Sequence, residues 1–226
     1  MSKIAHSNYL LLSHPLSPAL SAYGNGDRIK VEQVTSMEKG DISNNSKIEM
    51  NSHFGTHIDL PRHFLVDGKT LSDYMIEEFV FNGIRIIDAQ NYKPIDYLID
   101  VDVIDDSNEQ REIDLLIFKF GYSKYRDSEK YWRENPGFSP KLVKRIKEIY
   151  PNIRAIGFDL ISLSSYQSRP LGRIAHKEFL SQDILIIEDM NLTPLDVRRK
   201  LNKMIVAPLY VSGAEGAPVT IIGEVK

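Results

Sequence analysis

The hydrophobic and polar positions of this chain predict many short strands and a few helices. Two apolar runs, residues 84–88 and 115–120, are rich in β-branched and aromatic residues, which favours strands buried on both faces. A strand over residues 155–158 ends at Asp159, and a further buried strand is predicted over residues 184–187.

Further strands are predicted elsewhere in the chain. They are a short strand at 10–13, two strands at 28–36 and 46–50 joined by the polar turn 40–45, and a closing hairpin of 204–211 and 219–225 across a glycine-rich connection.

Helical spacing appears between the predicted strands. Ser139, as the cap, and Pro140, at the first position, open an amphipathic helix with four apolar residues on one face: Leu142, Val143, Ile146 and Ile149. Residues 175–181 predict a second helix. Residues 72–79 predict a short one after the Asp67-Gly68 turn, and the acidic segment 97–111 predicts a surface helix or loop. Mixed strands and helices indicate an α/β protein.

Composition limits the possible functions. A chain of 226 residues with 42% hydrophobic and 26% charged residues is typical of one globular domain, expected over residues 1–226. A net charge of −3 without a basic tract argues against nucleic acid as a partner. No apolar run approaches the ~20 residues of a membrane helix, and Lys3 is not followed by an apolar signal core, so we expect a cytoplasmic protein. With no cysteine, any metal must be held by His, Asp or Glu.

The segment 51–64, NSHFGTHIDLPRHF, is the most informative part of the chain, because three of the six histidines fall within it. Residues four apart in a strand are roughly 13 Å apart, too far for two histidines to share a metal. His53 and His57 are therefore expected on a helical turn or tight loop, with Gly55 permitting a bend. Beyond His57 the chain should extend, so that Asp59 points the same way, and His63 could face the same cavity.

A second histidine–carboxylate pair occurs downstream. His176 lies in the predicted helix 175–181, and Glu188 follows the apolar run 184–187. A buried strand that ends in a carboxylate needs a partner for the charge. A helix that descends about 10 Å and a strand that returns about 13 Å would bring the two side chains level, although a solvated pair is the alternative.

The histidine string closely resembles the signature of the cyclase family of metal-dependent hydrolases, which includes bacterial kynurenine formamidase and isatin hydrolase. Supporting segments run along nearly the whole chain: 12–16, 83–88, 114–122, 131–137 and the closing stretch 208–219 with its Gly213 and Glu215-Gly216. The resemblance implies a single domain of mixed β-sheets with flanking helices, in a swivelling β/β/α-like arrangement.

The resemblance also implies a set of metal ligands. The first metal would take His53, His57 and Asp59, and the second would take Asp59 as a bridge with His176 and Glu188. Two bridged divalent ions would lower the pKa of a shared water toward about 7, giving hydroxide that can attack an amide carbon. These ligands admit zinc, manganese or iron, with zinc or manganese expected, and one or two ions are possible.

Four more residues complete the expected site. His63 matches the family histidine that moves protons, or else it only hydrogen-bonds Asp59 or the substrate. Arg62 could bind a substrate carboxylate or lie on the surface. Asp159 matches the aspartate of a G-x-D-T-P-S turn that shapes the pocket wall, and Ser162 keeps the serine of that turn.

The predicted function is hydrolysis of a C–N amide bond in a small substrate by metal-bound hydroxide, with an arylformamidase-like activity on N-formylkynurenine in tryptophan catabolism. Alternatives are a cyclic amide (isatin-type) hydrolase, a metal-dependent cyclase or lyase acting on a polyketide-like carbonyl compound, and a non-catalytic metal-binding protein. Leu160 and Ile161 replace the family's threonine and proline, which weakens the particular substrate but not the reaction class. The resemblance also implies a homodimer or homotetramer.

Overall fold

The computed structural model describes residues 8–105 and 109–226, in which the chain forms thirteen strands and three α-helices linked by loops and short 3₁₀ turns. The strands are β1 (Tyr9–Leu11), β2 (Lys30–Thr35), β3 (Asn45–Glu49), β4 (His57–Asp59), β5 (Val80–Phe81), β6 (Ile84–Asp88), β7 (Leu98–Ile99), β8 (Leu115–Lys119), β9 (Gly137–Phe138), β10 (Ala155–Phe158), β11 (Leu185–Glu188), β12 (Leu201–Pro208) and β13 (Gly216–Val225). The helices are α1 (Glu129–Arg133), α2 (Leu142–Ile149) and α3 (Arg169–Ser181).

One mixed sheet of nine strands organises the molecule, in the order β5-β12-β13-β4-β11-β10-β8-β6, with β1 paired to β13. The strands from β11 to β6 are parallel, whereas β4 pairs antiparallel with both β11 and β13. Strands β2 and β3 form a separate hairpin, and β7 and β9 a separate parallel pair. The predicted α/β class with mixed sheets is confirmed, and β4 lies near the middle of the main sheet.

The central strands are buried on both faces because their side chains alternate between two hydrophobic clusters. On β8, Leu116 and Phe118 pack in the cluster that includes the apolar faces of α2 and α3. Leu115 and Ile117 of the same strand pack on the other side, among residues of β12 and β13. This two-sided burial explains the continuous apolar runs of β8, β10 and β11.

The prediction that residues 84–88 are buried on both faces is wrong. Strand β6 is the edge strand of the sheet, and its isoleucines lie at the margin of the two hydrophobic clusters, with Ile84 and Ile86 packed against one and Ile87 against the other. Arg85 and Asp88 are exposed, and the three isoleucines are only half-buried. Alternation within β6 carries this information, since Arg85 interrupts the apolar run.

The helices differ from their predicted bounds. Helix α3 begins at Arg169, six residues before the predicted start, and Pro170 lies in its first turn. Helix α2 begins at Leu142, three residues after Ser139, and the Ser139 hydroxyl accepts the Lys141 N–H (3.3 Å) in the turn that leads into the helix.

Two polar segments also differ from expectation. Residues 72–79 form two short 3₁₀ helices, Leu71–Asp73 and Ile76–Phe79, because an extended Tyr74 separates them. The segment 97–111 contains β7 and a 3₁₀ turn, and its buried Ile99 belongs to the core. Residues 106–108 of that segment, and Lys3, lie outside the described residues. No helix in the described ranges has the length and apolarity needed to cross a bilayer.

Candidate metal centre and active-site cavity

A tight loop precedes β4 and positions His53. Gly55 adopts φ 73°, the left-handed region, and a Cβ there would overlap the side chain of Leu16. Gly216 on β13 allows a second close approach, because a Cβ at that position would lie 2.5 Å from His53 Cε1. The tight loop expected at His53 is confirmed, and two glycines make it possible, whereas His57 already belongs to strand β4.

Strand β4 then presents His57 and Asp59 on one face. His57 Nε2 lies 3.4 Å from Asp59 Oδ1, and His53 Nδ1 lies 2.8 Å from the same oxygen. His57 donates its Nδ1–H to the Gly55 carbonyl (2.8 Å), which leaves Nε2 directed at the carboxylates. A histidine held in this way through one nitrogen presents the other as a ligand atom.

Helix α3 and strand β11 bring the second pair to the same place. His176 Nε2 lies 3.3 Å from Glu188 Oε1 and 3.5 Å from Asp59 Oδ2. His176 also donates its Nδ1–H to a backbone carbonyl, that of Gly172 (2.8 Å), so its Nε2 too faces the carboxylates. The expected convergence of His176 and Glu188 is therefore found.

The Glu188 carboxylate is fixed from outside the cluster. Its Oε1 accepts the Leu163 N–H (2.7 Å) and the Ser162 hydroxyl (3.3 Å). Its Oε2 lies 3.4 Å from His57 Nε2. Ser162 lines the cavity and contacts the cluster through Glu188, so it can orient this carboxylate.

These side chains fit a divalent metal by their chemistry and spacing. His53, His57 and Asp59 form one group, and Asp59, His176 and Glu188 a second; within each, the ligand atoms lie within 4.8 Å of one another. Imidazole nitrogens and carboxylate oxygens are the donors preferred by zinc and manganese. Because Asp59 belongs to both groups, it is placed to bridge two ions.

The carboxylates of the cluster are buried and therefore need compensating positive charge. Asp59, His57, His176 and Glu188 are each at most 3% exposed. Burial opposes ionisation of Asp59, but His53 and His57 hold its pKa well below the ordinary value. Burial likewise opposes protonation of His57, yet Asp59 and Glu188 raise its pKa well above the ordinary value. Two buried carboxylates thus require a cation, which protonated imidazole or a metal can supply.

His63 lies beside the cluster, at the end of the 3₁₀ turn Pro61–His63. Its ring stacks on that of His53, with centroids 3.9 Å apart, and meets that of His176 edge-on at 6.3 Å. Burial lowers the pKa of His63 below 6.5, so the ring is neutral at neutral pH and can accept a proton.

Glu215 is a neighbour that the sequence analysis did not assign to the site. It precedes β13, and its Oε1 lies 3.2 Å from His53 Nε2. His53, His63 and Glu215 form a third group that could hold a metal ion. Gly216, which directly follows Glu215, is the sequence signal of a close backbone approach.

The cavity above the cluster combines apolar and cationic walls. Phe54, Phe64 and Ile161 supply apolar surface, while three arginines line another part: Arg126, Arg169 and Arg173. Arg62 is exposed and is not among the residues that line this cavity. The structure thus places other arginines where the sequence analysis expected Arg62.

Asp159 is fully buried behind the cavity rather than on its surface. Its carboxylate accepts the N–H groups of Phe120 (2.7 Å) and Tyr122 (2.8 Å), which fixes the loop that follows β8. Burial raises the pKa of Asp159 above its ordinary value, and these backbone bonds oppose the rise. Its observed contacts support a role in shaping the loop.

A buried ion pair lies directly after Glu188 and was not predicted. Asp189 binds Arg126 Nη2 (2.7 Å) and accepts the Tyr131 hydroxyl (2.6 Å). Asp189 adopts φ 56°, so the chain turns sharply where β11 ends. The sequence signal for this ion pair is the presence of two adjacent acids, Glu188 and Asp189, at the end of a buried strand. Only Glu188 was assigned a role from the sequence.

Comparisons with known proteins agree with this architecture. The cyclase family model matches residues 10–165. A kynurenine formamidase from Bacillus anthracis is 28% identical over 218 residues, covering 96% of this chain and 97% of that protein.

Solved structures show the same fold. An isatin hydrolase bound to the product analogue thioisatinate matches with a TM-score of 0.78 and 15% identity, covering 95% of this chain and 91% of that one. A potential metal-dependent hydrolase with cyclase activity matches with a TM-score of 0.73 and 21% identity, covering 95% of this chain and 96% of that one. Since the family model spans well over half of the residues, the chain belongs to the cyclase family.

Proposed function

We propose that this protein is a metal-dependent hydrolase that cleaves the C–N amide bond of a small aromatic substrate, with an arylformamidase-like activity. The observation that carries the proposal is the position of Asp59, which two groups of buried histidine and carboxylate ligands share at the floor of a cavity. The similarity to a kynurenine formamidase along almost the full length of both chains supports this substrate.

The cluster residues have separate roles in the proposal. His53, His57 and Asp59 would hold one ion, and Asp59, His176 and Glu188 a second, with zinc or manganese the expected metals. A divalent ion held there lowers the pKa of water and polarises a carbonyl oxygen. Ser162 and the Leu163 N–H keep Glu188 in position while substrate enters and product leaves.

His63 performs the proton transfers in this reaction. It accepts a proton from the attacking water as the water oxygen bonds to the formyl carbon. It then returns that proton to the nitrogen as the C–N bond breaks, releasing the free aromatic amine and formic acid, which loses its proton to solvent to give formate. The neutral state favoured by burial suits the first step. Phe54, Phe64 and Ile161 offer apolar surface for an aromatic ring.

Formate release from N-formylkynurenine by the purified protein tests this proposal. We expect turnover that chelation removes and that added zinc or manganese restores. Glu188→Gln should abolish it, whereas Glu148→Gln, an exposed change on α2, should not. Opening of isatin without formamide cleavage would instead indicate a cyclic amide hydrolase. A metal-loaded protein inert to all amides would contradict the proposal and point to a cyclase or lyase.

The expected homodimer or homotetramer and the cytoplasmic location stay predictions. Light scattering of the purified protein would determine the number of subunits, and the assay above can be run on whichever assembly is found.

A further inference from the structure

We propose that Arg169 and Arg173, called here the arginine wall, bind a carboxylate of the substrate, so that the enzyme acts on acidic amides. This inference rests on the proposed function and names its substrate class. Both residues, together with Arg126, line the cavity that contains the ligand cluster.

Helix α3 directs two of these arginines toward the cluster. Arg169, Arg173 and His176 are spaced by four and three residues, so they lie on one face of the helix. His176 reaches the candidate metal centre, and the two arginines continue the same face along the cavity. Within residues 8–105 and 109–226, neither arginine forms an ion pair with a carboxylate. Both guanidinium groups are thus available to an anionic ligand.

Aromatic rings hold the Arg169 guanidinium in place, although the residue is exposed. Its centre lies 4.2 Å from the centroid of the Tyr166 ring and 5.5 Å from that of Tyr23. Gly24 adopts φ 63°, and a Cβ there would lie 2.9 Å from Arg169 Nη2. An arginine stacked in this way is oriented before ligand binds, which lowers the entropy lost on binding.

Arg126 differs from the two arginines of the wall. It is 3% exposed, and its Nη1 and Nη2 are bonded to the Ser21 carbonyl and to Asp189. Its guanidinium therefore belongs to the buried ion pair, and Arg169 and Arg173 are the ones that a substrate carboxylate can reach.

The charge of the cavity also favours an anion. The three arginines balance the three acids that line it, which are Asp59, Glu188 and Asp189. One bound divalent ion would leave the cavity at +2 with neutral histidines, and a second ion would raise this further. An anionic substrate group reduces that excess, whereas a neutral substrate does not.

Two substrates with the same scissile bond test the proposal. N-formylkynurenine carries a carboxylate beside an α-ammonium group, and 2-formamidoacetophenone lacks this whole amino-acid end. In Arg173→Gln and Arg169→Gln, kcat/KM for N-formylkynurenine should fall on the order of 10- to 100-fold. For the neutral formamide it should change less than about threefold. Arg173→Lys should recover part of the loss, and Lys177→Gln, an exposed change on the same helix, should leave both rates unchanged.

Binding of benzoate, with benzamide as the neutral counterpart, separates the two proposals by calorimetry. One outcome is that wild type cleaves neither formamide, while Arg173→Gln binds benzoate more weakly than wild type does. The formamidase function then fails and the arginine wall stands. Another outcome is that wild type cleaves formamides, while the arginine variants keep the wild-type kcat/KM for both substrates and the wild-type affinity for both probes. The arginine wall is then overturned and the function stands. Equal losses for both substrates, with benzoate binding unchanged, would also overturn it.

Discussion

Glu188 lies opposite His57 in the antiparallel pair of β11 and β4, and its Oε2 is 3.4 Å from His57 Nε2. Because residues two apart on a strand point to the same face, the side chain of Asp59 lies on the same face of β4 as that of His57. Helix α3 adds His176, whose Nε2 lies 3.5 Å from Asp59 Oδ2. Two strands and a helix from distant parts of the chain thus converge on one cluster, and the tight loop before β4 adds His53.

His63→Gln tests the assigned proton transfer. The substitution removes the ring that stacks on His53 without changing the two ligand groups that share Asp59. We expect kcat for formamide cleavage to fall by about 10² to 10⁴, with the metal content unchanged. Steady-state kinetics and elemental analysis provide the two readouts. A matched loss of metal would instead make His63 a ligand in the group with His53 and Glu215.

Asp189→Asn tests the buried ion pair behind the cavity. Asparagine tolerates the left-handed backbone of this position, so the change mainly removes the charge that faces Arg126. A buried guanidinium without its partner should lower the free energy of unfolding by about 3–5 kcal/mol, measured by urea denaturation. Asp196→Asn, which removes an exposed partner of Arg198, is the control and should have little effect. Equal stabilities of the two variants would contradict the assigned role.

His14 should make the stability depend on pH. Burial lowers its pKa below 6.5, Asp189 and Asp127 oppose the shift, and Arg126 adds to it. Since the unfolded chain then binds more protons, this contribution is fully present above about pH 6.5 and is lost as the pH falls toward the folded-state pKa. Between pH 8 and pH 5.5, the free energy of unfolding should fall more for wild type than for His14→Gln. Parallel losses in the two proteins would contradict this prediction.

Local patterns were sufficient for the cluster itself. The short range from His53 to Asp59 restricts the geometry so strongly that a loop followed by a strand could be predicted from metal distances. The pair of His176 and Glu188 was also accessible, because a helix and the strand that follows it return to the same edge. For the main sheet, the sequence predicts the α/β class but not the strand order, because strand order depends on contacts between distant segments.

The arginine wall was missed for a specific reason. The local pattern predicts a helix only from residue 175, which leaves Arg169 and Arg173 outside it, so their helical spacing to His176 is not visible in the sequence. Arg62 was chosen instead because it adjoins His63 in the sequence. The 3₁₀ turn over Pro61–His63 directs neighbouring side chains differently, and Arg62 is exposed while His63 faces the cavity. The edge position of β6 was missed since strand order was unknown.

The number of divalent ions bound per chain is the most direct test of the candidate metal centre. Wild type and Asp59→Asn, loaded with zinc or manganese and then dialysed, can be compared by elemental analysis, with Asp196→Asn as the control. We predict one or two ions per chain in wild type and in the control, and almost none in Asp59→Asn. Wild-type protein that retains neither metal would contradict the assignment.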